Sequence, residues 1–566
     1  MSTIVTNSNS GQVSPSGFSM LVQSRAFLIL LRIWNCLNGF ARTLRPLLNL
    51  CMLATTIAIL CAVVFANQHY PSWYDETCLT DPAYYKVTKG IWKSRMEFDS
   101  LGVEPFAVKY PLLIGMMWVF AKCFGMKYAL FRASMLFFGL LPIVGVFWLA
   151  RKRGLIKSWT EGLQAAYFMA CFGFFHWCIY IRPEAIVLSV GFLVAWCWLS
   201  GARIPLFLSS FCIPLCGLHW DVMVFPCLFA WLIWGGSFKK AILVLAGILL
   251  GTVGTLCWYH LAGMWPSYLL EAHRGGTSPS ILGNISRFLY DIFLNVDFSH
   301  LFSWHYPFNA FLCTLWVFGL GAVALHFSPE ASIWDRKSFV FAFLSYFALI
   351  LALASAAWLN DHYPRLLAPL ACLWTPLVFR HWWRKYPLLL FACAVVAACV
   401  ASVVWNNIRF SREGGARTDI WMDEAALEAS IDGVLSRDDV VLADASAYFA
   451  VRSRCGELFP FCYAFDLSEE QIHSCTAVLV EDNPSRLTNR DYSDGRGTSY
   501  SRAMKAFYDP DGTSGETARV TPDNLVAAVA ARWDCSFEEI PFVVSTPLHR
   551  AIRYRLFRPV FADGRD

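Results

Sequence analysis

KYPLLIGMMWVFAKCFGMKY, Lys109 to Tyr128, decides the fold. Counted as a membrane span, it inverts every later turn and places RKRGLIK, Arg151 to Lys157, outside the membrane. Counted as a helix in the headgroup region, it leaves that basic cluster in the cytoplasm. The segment is short, broken by Lys122 and rich in Trp, Phe and Met, which fits an interfacial helix. With it set aside, the apolar runs predict spans near 47–66, 132–150, 163–179, 185–200, 204–218, 223–237, 241–260, 308–327, 338–358, 365–380 and 386–405. In this count Arg203, Lys239, Lys240, Asp335-Arg336-Lys337 and RHWWRK, Arg380 to Lys385, all fall on cytoplasmic turns beside RKRGLIK. The short turns on the other face are poor in Lys and Arg.

The composition agrees with an α-helical polytopic protein of about eleven spans. Of 566 residues, 57% are hydrophobic and 15% charged, with a mean hydropathy of +0.47. That is too apolar for a soluble chain of this length. A net charge of +5 gives no reason to expect a nucleic-acid partner. The run Leu47 to Ala66 reads as a signal anchor, because Arg25, Arg32, Arg42 and Arg45 precede it, so residues 1–45 are expected in the cytoplasm. Residues 46–405 form the membrane unit. An odd number of spans then leaves residues 406–566 outside the cytoplasm.

That last segment has a different composition. ALEASIDGVLSRDDVVLADASAYFAVRS reads as a helix and then a β-rich run, and TPDNLVAAVAARWDCSFEEIPFVVS repeats the order, so a small soluble α/β domain is expected. NPSRLTNRDYSDGRGTSYS between them reads as a loop. The domain carries Cys455, Cys462, Cys475 and Cys535, an even count that permits two disulfides in an oxidising compartment. NIS, Asn284 to Ser286, is a glycosylation triplet on the outer face of this count.

The polar residues of the outer face converge. HYPSWYDETC, His69 to Cys78, supplies Asp75 and Glu76 just past the first span, and Asp81 and Lys109 follow in the same loop. IYIRPEA supplies Arg182 and Glu184, GLHWDV supplies His219 and Asp221, LEAHRGG supplies His273 and Arg274, and LNDHYPRLL supplies Asp361, His362 and Arg365. The span interiors are almost free of charge, whereas a transporter is expected to keep ionisable groups near the midplane. The working surface is therefore expected at the outer membrane–water boundary.

WYDE after the first span, Tyr110-Pro111 opening the interfacial helix, RPEA at Arg182 to Ala185 and HYPRLLAPL at His362 to Leu370 together resemble the GT-C glycosyltransferases, specifically the lipid A aminoarabinose transferase and protein O-mannosyltransferase-like group. The resemblance covers roughly residues 45–405. It departs from the family at Tyr110-Pro111-Leu112, where relatives often have two prolines, and at Leu218 to Asp221, where many have Lys-Gly.

The resemblance implies a polyprenyl-phosphate sugar as donor, bound from the lipid bilayer, and an acceptor hydroxyl on a lipid, a glycan or a protein. Such a transfer needs a carboxylate to take the acceptor proton, which is typically worth about 10²–10⁴-fold, and cations to hold the departing phosphate. Asp75 is the expected base, Glu76 orients it or the acceptor, and Glu184 is the third acidic candidate. Lys109, Arg274, His362 and Arg365 are the expected phosphate ligands, with His219, Asp221, His273 and Asp361 in reserve. No cofactor is required by these residues. Their spacing holds no tight metal-ligand set, although Asp75, Glu184 and Asp221 together would offer a hard divalent ion enough oxygens. With every chemical role filled before Asn406, the C-terminal segment is expected to bind or orient the acceptor, and a chain cut near Asn407 to keep donor binding. A flippase or permease for lipid-linked sugars and a membrane-anchored envelope-assembly protein are the rival classes. A bacterial inner membrane is the expected location.

Overall fold

The computed structural model describes residues 25–69, 74–96, 110–269, 283, 286, 307–327, 331–355, 367–383, 386–419, 421–482, 522–548 and 551–561, apart from 173, 236–237, 267, 368 and 414–415. The helices run α1 (Arg25–Thr43), α2 (Arg45–His69), α3 (Tyr74–Thr88), α4 (Pro111–Phe124), α5 (Tyr128–Lys152), α6 (Trp159–Cys171), α7 (Pro183–Ser200), α8 (Arg203–Leu215), α9 (Val224–Trp234), α10 (Phe238–Leu261), α11 (Pro307–Phe327), α12 (Ile333–Ser355), α13 (Thr375–Trp382) and α14 (Pro387–Arg409). Among the described residues four helices, α2, α5, α7 and α10, are long and apolar enough to cross a membrane. The chain is thus a multi-pass integral membrane protein.

In α2, Leu48, Met52, Val63 and Ala66 are buried against the protein, while Leu47, Leu50, Leu53 and Ile57 stay exposed and apolar on the outward side. Both faces of the helix are apolar, as a bilayer demands. Helices α8 and α10 meet at close quarters. A Cβ at Gly251 would stand 2.3 Å from the Phe211 carbonyl oxygen, and one at Gly247 2.7 Å from that of Phe207. Two glycines four residues apart share one face, so the backbones can approach where a larger side chain would hold them off.

Two predicted spans are not single helices. The run 163–179 is α6 ending at Cys171 and a separate 3₁₀ turn, Phe174–Ile179. Its backbone groups find side-chain partners instead of helical ones: Asn67 Nδ2 donates to the carbonyls of Cys178 and Ile179 at 2.7 and 3.3 Å. Within 365–380, the described residues form a short helix at Pro369–Cys372 and then α13. Helix α4, the segment that set the sidedness, has 14 residues, fewer than the roughly 20 that a crossing requires. Its Leu113, Ile114, Met117 and Ala121 are buried.

The C-terminal segment begins with an antiparallel hairpin, β1 (Phe410–Glu413) and β2 (Ala416–Asp419), and continues as a mixed sheet with flanking helices. The sheet order is β4-β3-β5-β7-β6, from β3 (Val440–Ala443), β4 (Glu457–Pro460), β5 (Ala477–Glu481), β6 (Cys535–Ile540) and β7 (Tyr554–Phe561). β3 runs parallel to β4 and β5, and β7 runs antiparallel to β5 and β6. Both predicted helix-then-strand repeats are present, as α15 (Glu424–Ile431) before β3 and, after α16 (Tyr448–Arg452) and α17 (Glu469–Ser474), as α18 (Pro522–Trp533) before β6. Cys455, Cys475 and Cys535 are free thiols. The pairing that an even count permits is therefore absent among these three, and Cys455 and Cys475 serve as buried packing residues.

This domain packs into the membrane unit. One continuous apolar core joins Phe131 and Ile181 to Val441, Phe449 and Leu479. Phe449 lies 4.8 Å, centroid to centroid, from Tyr128. Asp81, expected among the acids open to the outer face, is buried in this junction. Its Oδ1 accepts from Tyr448 Oη at 2.8 Å and pairs with Arg452 Nε at 3.3 Å. Its Oδ2 accepts from Ser94 Oγ at 3.1 Å and Arg95 N at 2.7 Å.

Candidate active site

The acidic turn after α2 is built into the head of α3. Asp75 lies in the first turn of that helix, and its side chain lies outside the described residues. Glu76 is fully buried. Its Oε1 accepts from Arg132 Nε at 3.0 Å and from the Ile181 backbone N–H at 2.7 Å, and its Oε2 accepts from Arg132 Nη2 at 2.6 Å. Arg132 also donates to the Asn67 carbonyl at 3.2 Å, and Asn67 Nδ2 returns a bond to the Arg132 carbonyl at 3.0 Å. The guanidinium stands 4.4 Å from the Tyr128 ring centroid. A charge buried so deeply is tolerable only when paired and hydrogen-bonded. Here the pairing locks together the end of α2, the head of α3, the first turn of α5 and the strand-like stretch before α7.

Ile181 is one residue from the second motif. Pro183 at the first position of α7 needs no N–H partner there. Arg182 just before it is extended. Arg182 Nε meets Glu184 Oε2 at 3.2 Å, and Nη2 meets Oε1 at 3.3 Å. Glu184 is buried, in the first helical turn, where the helix dipole favours its charge.

His219 lies within the fields of both partners. Burial holds its imidazole down to about 4; Arg182 reinforces that effect and Glu184 opposes it. The Tyr110 ring packs edge-on to His219 at 6.1 Å. Gly217 makes that approach possible: its φ is +133°, and a Cβ there would stand 2.9 Å from both His219 Cε1 and Tyr110 Cε1. Asp221 turns elsewhere. Its Oδ2 accepts from Thr252 Oγ1 at 2.8 Å, its Oδ1 accepts no hydrogen bond among the described residues, and burial raises its carboxyl to about 6, against the Thr252 bond.

The structure thus brings Glu76, Arg182, Glu184 and His219 into one connected region and leaves Asp221 on its edge. Lys109, His273, Arg274, Asp361, His362, Arg365 and Asn284 lie outside the described residues. Among the described residues no three His, Cys, Asp or Glu side chains stand together as a metal set. Sequence reasoning missed Arg132 and Asn67. Arg132 was legible in principle, as the one charge in ALFRASMLFFGLL, because an isolated cation at the head of an apolar run needs a partner.

A multi-pass membrane protein with a mixed-sheet domain docked on α3, the helix that follows its first membrane-length helix, is the class that this architecture defines. Its fold is similar to that of ArnT from Cupriavidus metallidurans, solved with undecaprenyl phosphate bound, at 12% sequence identity and a TM-score of 0.45, over 89% of this chain and 97% of that one. No protein-family model matches the chain, and no curated protein matches it.

Proposed function

We infer that the protein is an integral membrane glycosyltransferase. It moves a sugar from a polyprenyl-phosphate donor to an acceptor hydroxyl at the outer face of a membrane, with about eleven spans and the C-terminal domain on that same outer side. The observation that carries this reading is the hydrogen bond from Ile181 N to Glu76 Oε1, at 2.7 Å. Through it two carboxylate motifs 105 residues apart in sequence meet in one place, WYDE at the head of α3 and RPE at the head of α7.

The roles divide by what each group is free to do. Glu76 has both oxygens engaged by donors, so it positions. Asp75, its neighbour in the same helical turn, is the group left to take the acceptor proton. Arg182 presents a planar fork suited to phosphate, and Glu184 aims it. A neutral His219 beside them can donate or accept a hydrogen bond to a sugar hydroxyl without adding charge. Lys109, Arg274, His362 and Arg365 remain the proposed holders of the departing lipid phosphate, and His273 and Asp361 remain secondary. A bacterial inner membrane is the proposed location.

The test uses the purified full chain in nanodiscs with a radiolabelled sugar on a polyprenyl phosphate and a panel of lipid, glycan and peptide acceptors. Covalent transfer, or slow release of free sugar when no acceptor is present, supports the reading. Movement of the labelled lipid across liposomes without a new covalent product would replace it with the permease.

A further inference from the structure

Helix α15 opens the mixed-sheet part of the C-terminal domain and lies across the head of α5. It is fixed at both ends. Just before it, Met422 N–H donates to the carbonyl of His69, the last residue of α2, at 2.7 Å. Farther along, Glu428 pairs with Lys127 Nζ at 3.2 Å, and Lys127 is the N-cap of α5. Glu424 and Glu428 are one helical turn apart on a common face. The end of α15 that bears Glu424 is the one tied to His69, and two residues before His69 Asn67 Nδ2 donates to the carbonyl of Arg132, the residue that holds Glu76.

The Glu424 carboxyl has no hydrogen-bond partner at Oε2 among the described residues, and that atom is sealed from solvent. The titratable groups around it come from three helices: Arg132, Tyr128 and the N-cap Lys127 of α5, Glu76 of α3 and Glu428 of α15. Arg132 is already committed to Glu76 by two hydrogen bonds. A second carboxylate beside that pair would meet the charge of Glu76 and compete for its guanidinium. Burial, with Glu428 adding to it and Arg132 opposing, raises the Glu424 carboxyl well above the carboxylate range.

We propose that Glu424 is a positioning residue of the site: the C-terminal domain supplies it as a neutral carboxylic acid beside the Glu76–Arg132 pair, so that Arg132 stays with Glu76 and the α3 turn bearing Asp75 keeps its place. This rests on the transfer reaction above only for its activity readout. The domain then does more than present an acceptor, because the order of the base depends on a residue it contributes.

The sign of the pH effect follows from linkage. The folded chain holds the Glu424 proton to higher pH than the unfolded chain, whose Glu titrates near about 4.3. Between the two values the native state binds more protons, so stability falls as pH rises, and the fall ends once Glu424 ionises in the fold. The experiment follows the apparent melting temperature of the detergent-solubilised full chain from about pH 4 to about pH 9, for wild type, Glu424→Gln and Glu424→Ala. Sugar transfer is measured over the same range.

Glutamine imitates the neutral acid. The expected result is that Glu424→Gln removes the alkaline fall in melting temperature and shifts the alkaline limb of kcat upward. Glu424→Ala is expected to lower kcat by about 10- to 100-fold through misplacement of the base, and Glu424→Gln to recover most of that. A wild-type pH dependence in Glu424→Gln, or a Glu424→Gln as poor as Glu424→Ala, overturns the proposal. Should the alanine variant not fold, the wild-type and glutamine curves decide alone. Should no donor sugar be transferred by any variant, the glycosyltransferase reading falls, while the melting curves still decide Glu424.

Discussion

Asp75 and Glu76 are adjacent carboxylates to which the proposed mechanism gives different tasks, and the division starts from Glu76. Glu76 is enclosed by Arg132 and the Ile181 N–H. If Asp75 is the base, as proposed, Asp75→Asn should lower kcat by about 10²–10⁴-fold with donor affinity unchanged. Equilibrium binding of the polyprenyl-phosphate sugar beside single-turnover rates separates the two quantities, and near-normal turnover would remove Asp75 from the mechanism. Asp221 makes a second residue-level test. Its carboxyl, raised by burial to about 6, is neutral below that pH in the folded chain but ionises near about 3.9 when unfolded. Stability should therefore decline as pH rises from about 4 to about 6, and Asp221→Asn should flatten that decline in a melting series. Single residues such as Glu76, Arg182, Glu184 and His219 were legible in the sequence as chemical types, and the structure brings these four into one region. Their division of labour was not, because Glu76 is defined by Arg132, 56 positions away in a run that reads as plain span.

The elements were legible to the extent that local pattern determines them. The expected spans at 185–200, 241–260 and 386–405 became the helices Pro183–Ser200, Phe238–Leu261 and Pro387–Arg409, and the two helix-then-strand repeats of the C-terminal segment followed their periodicity. Phe174–Ile179 forms a 3₁₀ helix instead of continuing α6, although nothing in its composition forbids an α-helix. It is taken up by Asn67, which lies 111 residues before Cys178. The sheet order, with β7 between β5 and β6, is likewise set by long-range packing. The element-scale consequence concerns α3. Arg132→Met leaves Glu76 buried without its counter-charge, which costs about 3–5 kcal/mol and should lower the apparent melting temperature clearly. Glu76→Gln together with Arg132→Met removes both charges and should recover part of that loss. A double-mutant cycle on melting temperature measures the coupling, and strictly additive losses would show that the pair does not hold α3 in place.

At the scale of the whole molecule, α3 lies between two bodies of protein that each hold it by a buried ion pair, Glu76–Arg132 from the membrane unit and Asp81–Arg452 from the C-terminal domain. The second grip is reinforced: Arg452 lies 3.8 Å from the Tyr84 ring centroid, and Glu457 accepts from both Tyr85 and Lys89. The sequence alone suggested a domain that could be removed without loss of donor binding. The junction changes that expectation, since cutting near Asn407 would leave Asp81 without its guanidinium and the core around Phe131 without Phe449. Truncation removes too much at once to be informative, so the sharper test stays within the full chain. Arg452→Met should destabilise by about 3–5 kcal/mol, because Asp81 remains charged in a dry environment. It should also lower kcat for sugar transfer, because α3 carries the proposed base Asp75 at its other end. Adding Asp81→Asn neutralises the orphaned carboxylate at nearly constant shape and should restore much of both. Melting temperature and kcat are read on the same three proteins. If Arg452→Met lowers melting temperature yet leaves kcat at the wild-type value, the C-terminal domain stabilises α3 without placing the end that bears Asp75, and the two grips act independently.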